Sequence, residues 1–300
     1  MKQIKETSIF LLMLMANILI GTTLLFFCKI TITPFHLPGF ILLTSLFYFF
    51  LRRKVTKKEI LTTIILSLLI VSLSTLISSF MFDRSSDGNT YHKDAIGVLK
   101  EGFNPVYESS VKQIKKRQDD SKTLTNYSIW TDHYAKANWI IAANFYSLTN
   151  NIESGKAMNL ISMYLVFGFI FTSLSTCMTT KKAMILALIT VLNPITASQV
   201  FTYYNDQLVC MYLFLAILFL IKLDKNINDK NSWFYYFLTF IILANMKFNG
   251  LGYLLVFSFF FVCKYLFKAY KNKDFFQIFK KLCIKSRQEI KDVLKSQNNN

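Results

Sequence analysis

Two aspartates stand where a long apolar run of the sequence ends. Asp83 and Asp87 lie near the start of the stretch FDRSSDGNTYHKDAIGVLKEGFNPVYE, which follows directly on the apolar run over residues 60–82. A carboxylate at a water-poor position beside a membrane is the group with which an enzyme takes a proton from a polar acceptor. Asp87 is therefore the first candidate for a catalytic general base, and Asp83 is the second. The alternative is that Asp87 only caps the helix that follows it.

Four further side chains are candidates for substrate binding. Tyr91 and His92 lie in the helical segment after Asp87, where they would line the acceptor site. The alternative for His92 is an ordinary polar group on the surface. Asp206 either joins Asp87 in holding an acceptor or a divalent cation through oxygen ligands, or caps the next helix. Lys247 lies between two apolar runs. Because an unpaired charge is costly there, it either pairs with a lipid phosphate or extends to ordinary headgroups.

The composition is that of a membrane protein with several spans. Hydrophobic residues make up 53% of the 300 residues, 30 of them are Phe, and the mean hydropathy is +0.37. The formal charge of +17 is explained by basic cytoplasmic loops rather than by nucleic acid. The five cysteines are scattered, which argues against a disulfide or zinc framework. The first apolar run is long and lacks a small-residue cleavage site, so no cleavable signal peptide is expected.

The apolar runs predict an all-α polytopic fold with about eight transmembrane helices. Basic residues follow every second span, which places both termini in the cytoplasm. The resulting organisation is two N-terminal spans with a basic loop (1–59), a transmembrane module with an external loop at 83–155 (60–268), and a basic cytoplasmic tail (269–300). The expected spans are 8–28, 35–51, 60–82, 157–178, 183–200, 208–221, 233–245 and 251–267.

The external loop is expected to carry two helices that lie on the membrane surface. The first covers the apolar positions between Tyr91 and Leu99, and Gly102 and Pro105 end it. The second begins at Thr131 or Asp132 and continues to about residue 149. Between them, residues 111–122 predict a polar loop. A further amphipathic stretch is expected at 275–284, and Asn193–Pro194 should break the fifth span.

Several blocks of this sequence resemble GT-C glycosyltransferases, a superfamily that includes the protein O-mannosyltransferases and the bacterial aminoarabinose transferases. The similar blocks are the aspartate after an outgoing span, D-G-N-x-Y-H, G-x-N-P, YAKANWIIAANFYSLTNNIESGKAMN, NPITASQVFTYYND and NMKFNG, over about residues 60–255. The resemblance implies transfer of a sugar, usually with inversion, from a polyprenyl-phosphate donor in the membrane lipid. The acceptor is a glycan, lipid or protein on the outer face.

The sequence departs from that family in its number of spans. Family members commonly have eleven or more, so here the donor groove is either completed elsewhere or the chain is a truncated, inactive transferase. A second function class is a non-catalytic component, such as a flippase or an assembly partner, of surface polysaccharide synthesis. A transporter would bury charge at mid-membrane, whereas these charges lie at span ends, which favours the enzyme. The abundance of Lys, Asn, Ile and Phe is typical of an AT-rich bacterial genome. The expected location of this multi-pass protein is therefore a bacterial plasma membrane.

Overall fold

The computed structural model describes residues 1–53, 55–110 and 128–271, and every regular element within these ranges is helical. A π-helical turn at Gly88–His92 precedes α4, and a 3-10 turn at Ile152–Lys156 precedes α7. The expected loop at 111–122 and the amphipathic stretch at 275–284 lie outside these ranges. The helices are α1 (Lys2–Phe27), α2 (His36–Leu51), α3 (Lys57–Phe80), α4 (Lys93–Lys100), α5 (Ser128–His133), α6 (Ala137–Thr149), α7 (Ala157–Leu174), α8 (Thr180–Val191), α9 (Pro194–Gln199), α10 (Asp206–Lys225), α11 (Lys230–Ala244) and α12 (Phe248–Lys271).

Five helices of the described chain are long and apolar enough to cross a membrane. They are α1, α3, α7 with the turn before it, α10 and α12. The other expected spans are shorter helices: α2 has 16 residues, α8 has 12 and α11 has 15. The expected break after α8 is present, where the side chain of Asn193 accepts a hydrogen bond from the backbone N of Thr196 at 3.2 Å. The chain is therefore an all-α membrane protein, and the expected number of eight spans is not confirmed.

Helix α1 lies at the centre of the bundle. It packs against α2, α3, α6, α7 and α11, and most of its apolar residues are buried. Small residues allow this close packing. A Cβ at Gly21 would lie 2.2 Å from Cε1 of Phe40 on α2, and one at Gly168 on α7 would lie 2.0 Å from Oγ of Ser8. Contacts between membrane helices depend on such small residues, since lipid supplies no hydrophobic driving force between spans.

Ion pairs join the helices at one end of the bundle, here called the basic end. Lys2 on α1 pairs with Glu59 on α3 at 2.6 Å. Arg52, which follows α2, pairs with Glu6 on α1 at 2.9 Å and donates to Oη of Tyr235 on α11 at 2.7 Å. The basic segments that the sequence assigns to one side of the membrane are thus brought together. The opposite end, here called the loop end, carries the segments that follow α3 and that precede α7, α10 and α12.

The two helices expected on the membrane surface are buried within the protein instead. The buried residues of α4 are Ala95, Ile96, Gly97, Val98 and Leu99, and this helix packs against α6. Most residues of α6 are buried as well. A Cβ at Gly155 would lie 2.7 Å from the Cβ of Ala142 on α6, so small residues let α6 pack closely against the turn before α7. An evenly buried helix of this kind belongs to the core.

The single helix expected from residue 131 to residue 149 is interrupted at 134–136. There Nζ of Lys136 turns back and donates to the carbonyl oxygens of Asp132 at 2.7 Å and Tyr134 at 3.1 Å. Asp132 does not cap the later helix. Its carboxylate accepts hydrogen bonds from Oγ of Ser109 and the backbone N of Ser110, each at 2.8 Å. These bonds join α5 to the segment that follows α4.

Candidate functional site

The turn that presents the candidate base is held by hydrogen bonds from Asn89 and Gly88 to the segment that precedes it. Nδ2 of Asn89 donates to the carbonyl oxygens of Asp83 and Ser85, both at 2.8 Å, and the backbone N of Gly88 donates to Oγ of Ser85 at 3.1 Å. A Cβ at Gly88 would lie 2.0 Å from Oδ2 of Asp83. The close approach therefore requires glycine at this position. The resulting π-helical turn, a form frequent at functional sites, sets the direction of the side chains that follow.

Asp87 lies at the start of this turn, partly exposed. Its side chain makes no capping hydrogen bond, and its Oδ2 accepts one from Oη of Tyr91 at 3.2 Å. Burial raises the pKa of Tyr91, and the negative charge of Asp87 raises it further. The phenol therefore keeps its proton and acts as a donor. This arrangement leaves Asp87 a carboxylate with one phenolic partner, and the capping role is not observed.

Asp206 and Lys247 form an ion pair at the loop end. Nζ of Lys247, just before α12, lies 2.6 Å from Oδ1 of Asp206, the first residue of α10. Their side chains are 30% and 48% exposed, so the pair faces open space. Burial opposes the charge on Lys247, but its hydrogen bond to Asp206 and the nearby charges of Asp206 and Asp87 raise its pKa overall. The sequence analysis considered a lipid phosphate or ordinary headgroups as the partner of Lys247, and it did not consider Asp206.

His92 is 1% exposed, and the charges of Lys247 and Asp206 both act on its ring. Its Nδ1 accepts a hydrogen bond from Nε1 of Trp139 at 2.7 Å. Burial lowers the pKa of His92 to about 3, with the positive charge of Lys247 acting in the same direction and Asp206 opposing it. The imidazole is therefore neutral at physiological pH.

Aromatic rings surround His92. Tyr91 stacks on Trp130 with ring centroids 5.9 Å apart, and Tyr134 stacks on Trp139 at 5.4 Å. Tyr134 also meets His92 edge-on at 6.2 Å. Trp130, Tyr134 and Trp139 were not among the residues expected at the site. Their spacing in WTDHYAKANW places three large aromatic residues within ten positions of the chain, which is the signal that would have found them.

Asp83 lies apart from this group and is fully buried. Its carboxylate accepts hydrogen bonds from the backbone N of Ser85 at 2.8 Å and of Tyr203 at 2.9 Å. A carboxylate that is buried and bonded to backbone amides is suited to holding loops together. The structure therefore brings together five of the six expected residues and places Asp83 under the turn that carries Asp87.

A buried charge network adjoins Asp83. Glu153, in the turn before α7, lies 2.5 Å from Nζ of Lys93 and 2.5 Å from Nζ of Lys156. Lys156 is fully buried and also donates to the carbonyl oxygen of Met81. The backbone N of Asp83 donates to Glu153 at 3.2 Å. This network, which the sequence analysis missed, connects the end of α3 with the start of α7 and supports the turn that carries the site.

An apolar cavity of about 450 Å³ adjoins the aromatic cluster. Tyr134 lines both, and Lys136 and Asn245 supply polar groups to the cavity wall. Burial lowers the pKa of Lys136, while the charge of Asp132 opposes that effect. The apolar lining comes mainly from α1, α6 and α11, with Leu19, Leu24, Phe26, Val106, Ile140 and Ile241. The cavity thus provides an apolar wall next to the charged and aromatic side chains.

A divalent cation gains no support from the geometry. Among the described residues no group of three or more His, Cys, Asp or Glu side chains converges, and the two carboxylates at the site already accept hydrogen bonds from Tyr91 and Lys247.

Comparison with known proteins returned no relative: no family model, no curated protein and no solved structure matches this chain.

Proposed function

We propose that this chain is a membrane glycosyltransferase of the GT-C type, which transfers a sugar from a polyprenyl-phosphate donor to an acceptor hydroxyl on the outer face of a bacterial plasma membrane. The observation that carries the proposal is that Asp87 and Lys247 both lie at the loop end, where the charge of Asp87 acts on Lys247, and that Tyr134, whose ring centroid lies 6.2 Å from that of Tyr91, lines an apolar cavity. A lipid-linked sugar phosphate needs these features together. These features are an apolar wall for the lipid chain of the donor, a cation for its phosphate and a base for the acceptor hydroxyl.

The proposed reaction is a single displacement. Asp87 takes the proton of the acceptor hydroxyl while the acceptor oxygen bonds to the anomeric carbon. The bond between that carbon and the phosphate oxygen breaks, and its electron pair leaves with the phosphate. Lys247 stabilises the negative charge that develops there. The neutral phenol of Tyr91 donates to Asp87 and holds its carboxylate in position. The aromatic rings of Trp130 and Tyr134 supply a surface for the apolar face of a sugar.

The orientation rests on the distribution of charge. Lys and Arg are concentrated in cytoplasmic loops of membrane proteins, so the basic end faces the cytoplasm and the loop end faces outward. Cysteines introduced by Ser86→Cys and Asn228→Cys into a cysteine-free background test this. A membrane-impermeant thiol reagent added to intact cells should label the first and leave the second unlabelled until the cells are broken. Labelling of the second alone would place the site in the cytoplasm and remove the proposal.

The catalytic proposal is tested by Asp87→Asn, which preserves the size of the side chain but removes the base. The full chain is reconstituted in vesicles with an undecaprenyl-phosphate-linked radioactive hexose, and release or transfer of the label is measured. Turnover should fall about 100-fold or more, while folding remains normal. The matched control is Asp224→Asn, which removes a carboxylate paired with Lys264 at the basic end. Transfer at the wild-type rate by Asp87→Asn would remove Asp87 as the base and leave Asp83 or Asp206 to be tested for that role. A wild-type chain that transfers no sugar would favour the non-catalytic alternative, a flippase or assembly partner.

A further inference from the structure

Trp130 is an exposed aromatic residue that lies close to the candidate base. The residue is 51% exposed, although its ring stacks on that of Tyr91 with centroids 5.9 Å apart and an angle of 28° between the planes. The hydroxyl of Tyr91 in turn lies 3.2 Å from Oδ2 of Asp87. A single side chain, that of Tyr91, therefore connects the exposed indole to the carboxylate that is proposed to take the proton.

A second ring contact fixes the orientation of this indole. The ring of Tyr134 meets that of Trp130 edge-on at 6.3 Å, and the rings of Tyr91 and Tyr134 are 6.2 Å apart. Because each of these rings contacts the other two, the protein itself sets the orientation of Trp130, and binding to it costs little side-chain entropy. Tryptophan and tyrosine provide large, rigid contact surfaces of this kind in binding sites.

The chemistry of this surface matches a sugar ring. A pyranose carries hydroxyl groups around its edge and C–H bonds on its faces, and those C–H bonds pack against the electron-rich face of an indole. The hydroxyl groups need hydrogen-bond acceptors, and the carboxylate of Asp87 is an acceptor next to the stacked rings. A serine or threonine side chain or a lipid alcohol has a hydroxyl group but no ring face that could cover the indole.

We propose that Trp130 binds a sugar ring of the acceptor, so that the acceptor is a glycan. This inference rests on the proposed function, because it identifies the ligand with the acceptor of the transfer. Stacking on Trp130 holds the sugar ring while one of its hydroxyl groups approaches Asp87. Trp130 thus selects the class of acceptor and takes no part in proton transfer. A tryptophan near a membrane can instead anchor the protein among lipid headgroups, and the test separates these two roles.

Binding is tested on the wild-type chain by ¹⁹F NMR of fluorotryptophan in nanodiscs. The chain has 3 tryptophans, and a Trp130→Phe variant identifies the signal of Trp130. The probes are methyl β-glucopyranoside, methyl β-galactopyranoside and methyl α-mannopyranoside, because all of them present C–H faces. At least one probe should shift the Trp130 signal until it saturates, whereas sorbitol, an open-chain polyol, should not. The control signal is that of Trp233 at the basic end, which is 41% exposed and should not move.

Two results of this experiment would overturn the proposal. The first is a Trp130 signal that none of the pyranosides shifts to saturation. The second is a Trp130 signal that responds to sorbitol as it does to the pyranosides, since the ring face then plays no part. If the signal is unmoved by pyranosides but broadened by a lipid with a spin-labelled headgroup, Trp130 is a membrane anchor.

The role of Trp130 in transfer is tested with the pyranoside that binds, offered as acceptor to the reconstituted chain. Trp130→Ala should raise the KM for this acceptor about tenfold, the size of loss expected when a stacked aromatic ring is removed. It should leave kcat unchanged, because stacking contributes equally to the ground state and the transition state. Trp130→Phe keeps a ring and should lie between the two, and Trp233→Ala is the matched control. A fall in kcat at unchanged KM would show that Trp130 supports the turn of Asp87 and does not bind the acceptor.

The outcomes separate this inference from the proposed function. A pyranoside that binds at Trp130 in a chain that transfers no sugar overturns the transferase and leaves the sugar-binding role of Trp130 standing. Transfer to a lipid or peptide hydroxyl, with no pyranoside bound at Trp130, leaves the transferase standing and overturns the glycan acceptor. Because binding is measured on the wild-type chain, a failure of Trp130→Ala to fold does not remove the test.

Discussion

Nζ of Lys247 lies 2.6 Å from Oδ1 of Asp206 and joins the start of α12 to the start of α10. The pair is partly exposed, and an exposed pair contributes only about 0–1 kcal/mol to stability. The position of this pair is therefore more informative about function than its contribution to stability. Lys247 is held at the loop end by a carboxylate that a phosphate would compete with. Binding of an anion to Lys247 must weaken or rearrange this pair.

Because a phosphate would compete with Asp206 for Lys247, substitutions of these two residues should have opposite effects on phosphate binding. Lys247→Ala should weaken binding of undecaprenyl phosphate about tenfold or more, because a charge-assisted hydrogen bond is lost, and Lys247→Arg should retain part of it. Asp206→Asn should strengthen binding, because a competing negative charge is removed. Affinity is measured in vesicles at low salt, where such effects are largest.

The control for this prediction is the pair at the opposite end of the same helices. Lys264 lies 2.7 Å from Asp224 and joins α12 to α10 near the basic end. Lys264→Ala removes the same kind of charge and should leave the affinity unchanged. If Lys247→Ala and Lys264→Ala behave alike, Lys247 has no special role in binding the anion.

The buried network around Glu153 predicts a large loss of stability. Lys156 is fully buried against Glu153, and removing one partner of a buried pair costs about 3–5 kcal/mol. Lys156→Met should therefore lower the free energy of unfolding by about that amount, measured by chemical denaturation in detergent. The exposed Lys2–Glu59 pair is the comparison, and Lys2→Met should cost about 1 kcal/mol or less. Similar losses in both variants would show that the network does not stabilise the loop end.

The elements of the fold could be predicted from the sequence because apolar runs and breaker residues are local signals. Apart from the expected helix at 131–149, which is interrupted, the helices begin and end close to the expected positions, and the break at Asn193–Pro194 is where the proline requires it. Burial of α4 and α6 was not predictable from their own residues. It depends on the fit of Ala142 against Gly155 in a turn that precedes a different helix.

The site was partly predictable for the same reason. Asp87, Tyr91 and His92 lie within one turn, so the stretch around them was sufficient to group them. The separation of Asp83 from Asp87 was not visible, because it depends on the backbone N of Tyr203, which is 120 positions away. The partner of Lys247 likewise comes from another helix. Sequence reasoning named both residues of that pair without placing them in contact.

The pH dependence of stability should report the burial of His92. Its pKa in the folded chain is about 3, against an ordinary value of 6.5. Between these values the unfolded chain binds a proton that the folded chain does not, so stability falls as the pH falls below about 6.5. The groups around the ring are Lys247, Asp206, Tyr91, Tyr134 and Trp139.

The measurement compares unfolding at pH 7 and pH 5. The wild type should lose about 2 kcal/mol more than His92→Gln over this interval, on the order expected for a pKa shift of this direction and extent. His133→Gln, which changes an exposed histidine, should follow the wild type. A wild type and a His92→Gln variant with parallel pH profiles would mean that His92 is accessible to protons in the folded chain.

The last prediction concerns the turn before α4, whose geometry requires a residue without a Cβ at position 88. A Cβ at Gly88 would lie 2.0 Å from Oδ2 of Asp83 and 2.4 Å from Oγ of Ser85, and both groups are fixed by hydrogen bonds. Gly88→Ala should therefore shift the turn and cost about 1–3 kcal/mol, as overpacking of a buried site does. It should also reduce sugar transfer, since Asp87 and Tyr91 move with the turn. Gly252→Ala on α12 is the control: a Cβ there meets no atom within 4 Å, and alanine favours a helix by about 0.5–1 kcal/mol. Denaturation midpoints and transfer rates are measured on both variants. Wild-type transfer by Gly88→Ala would show that the geometry of this turn is not required for the reaction.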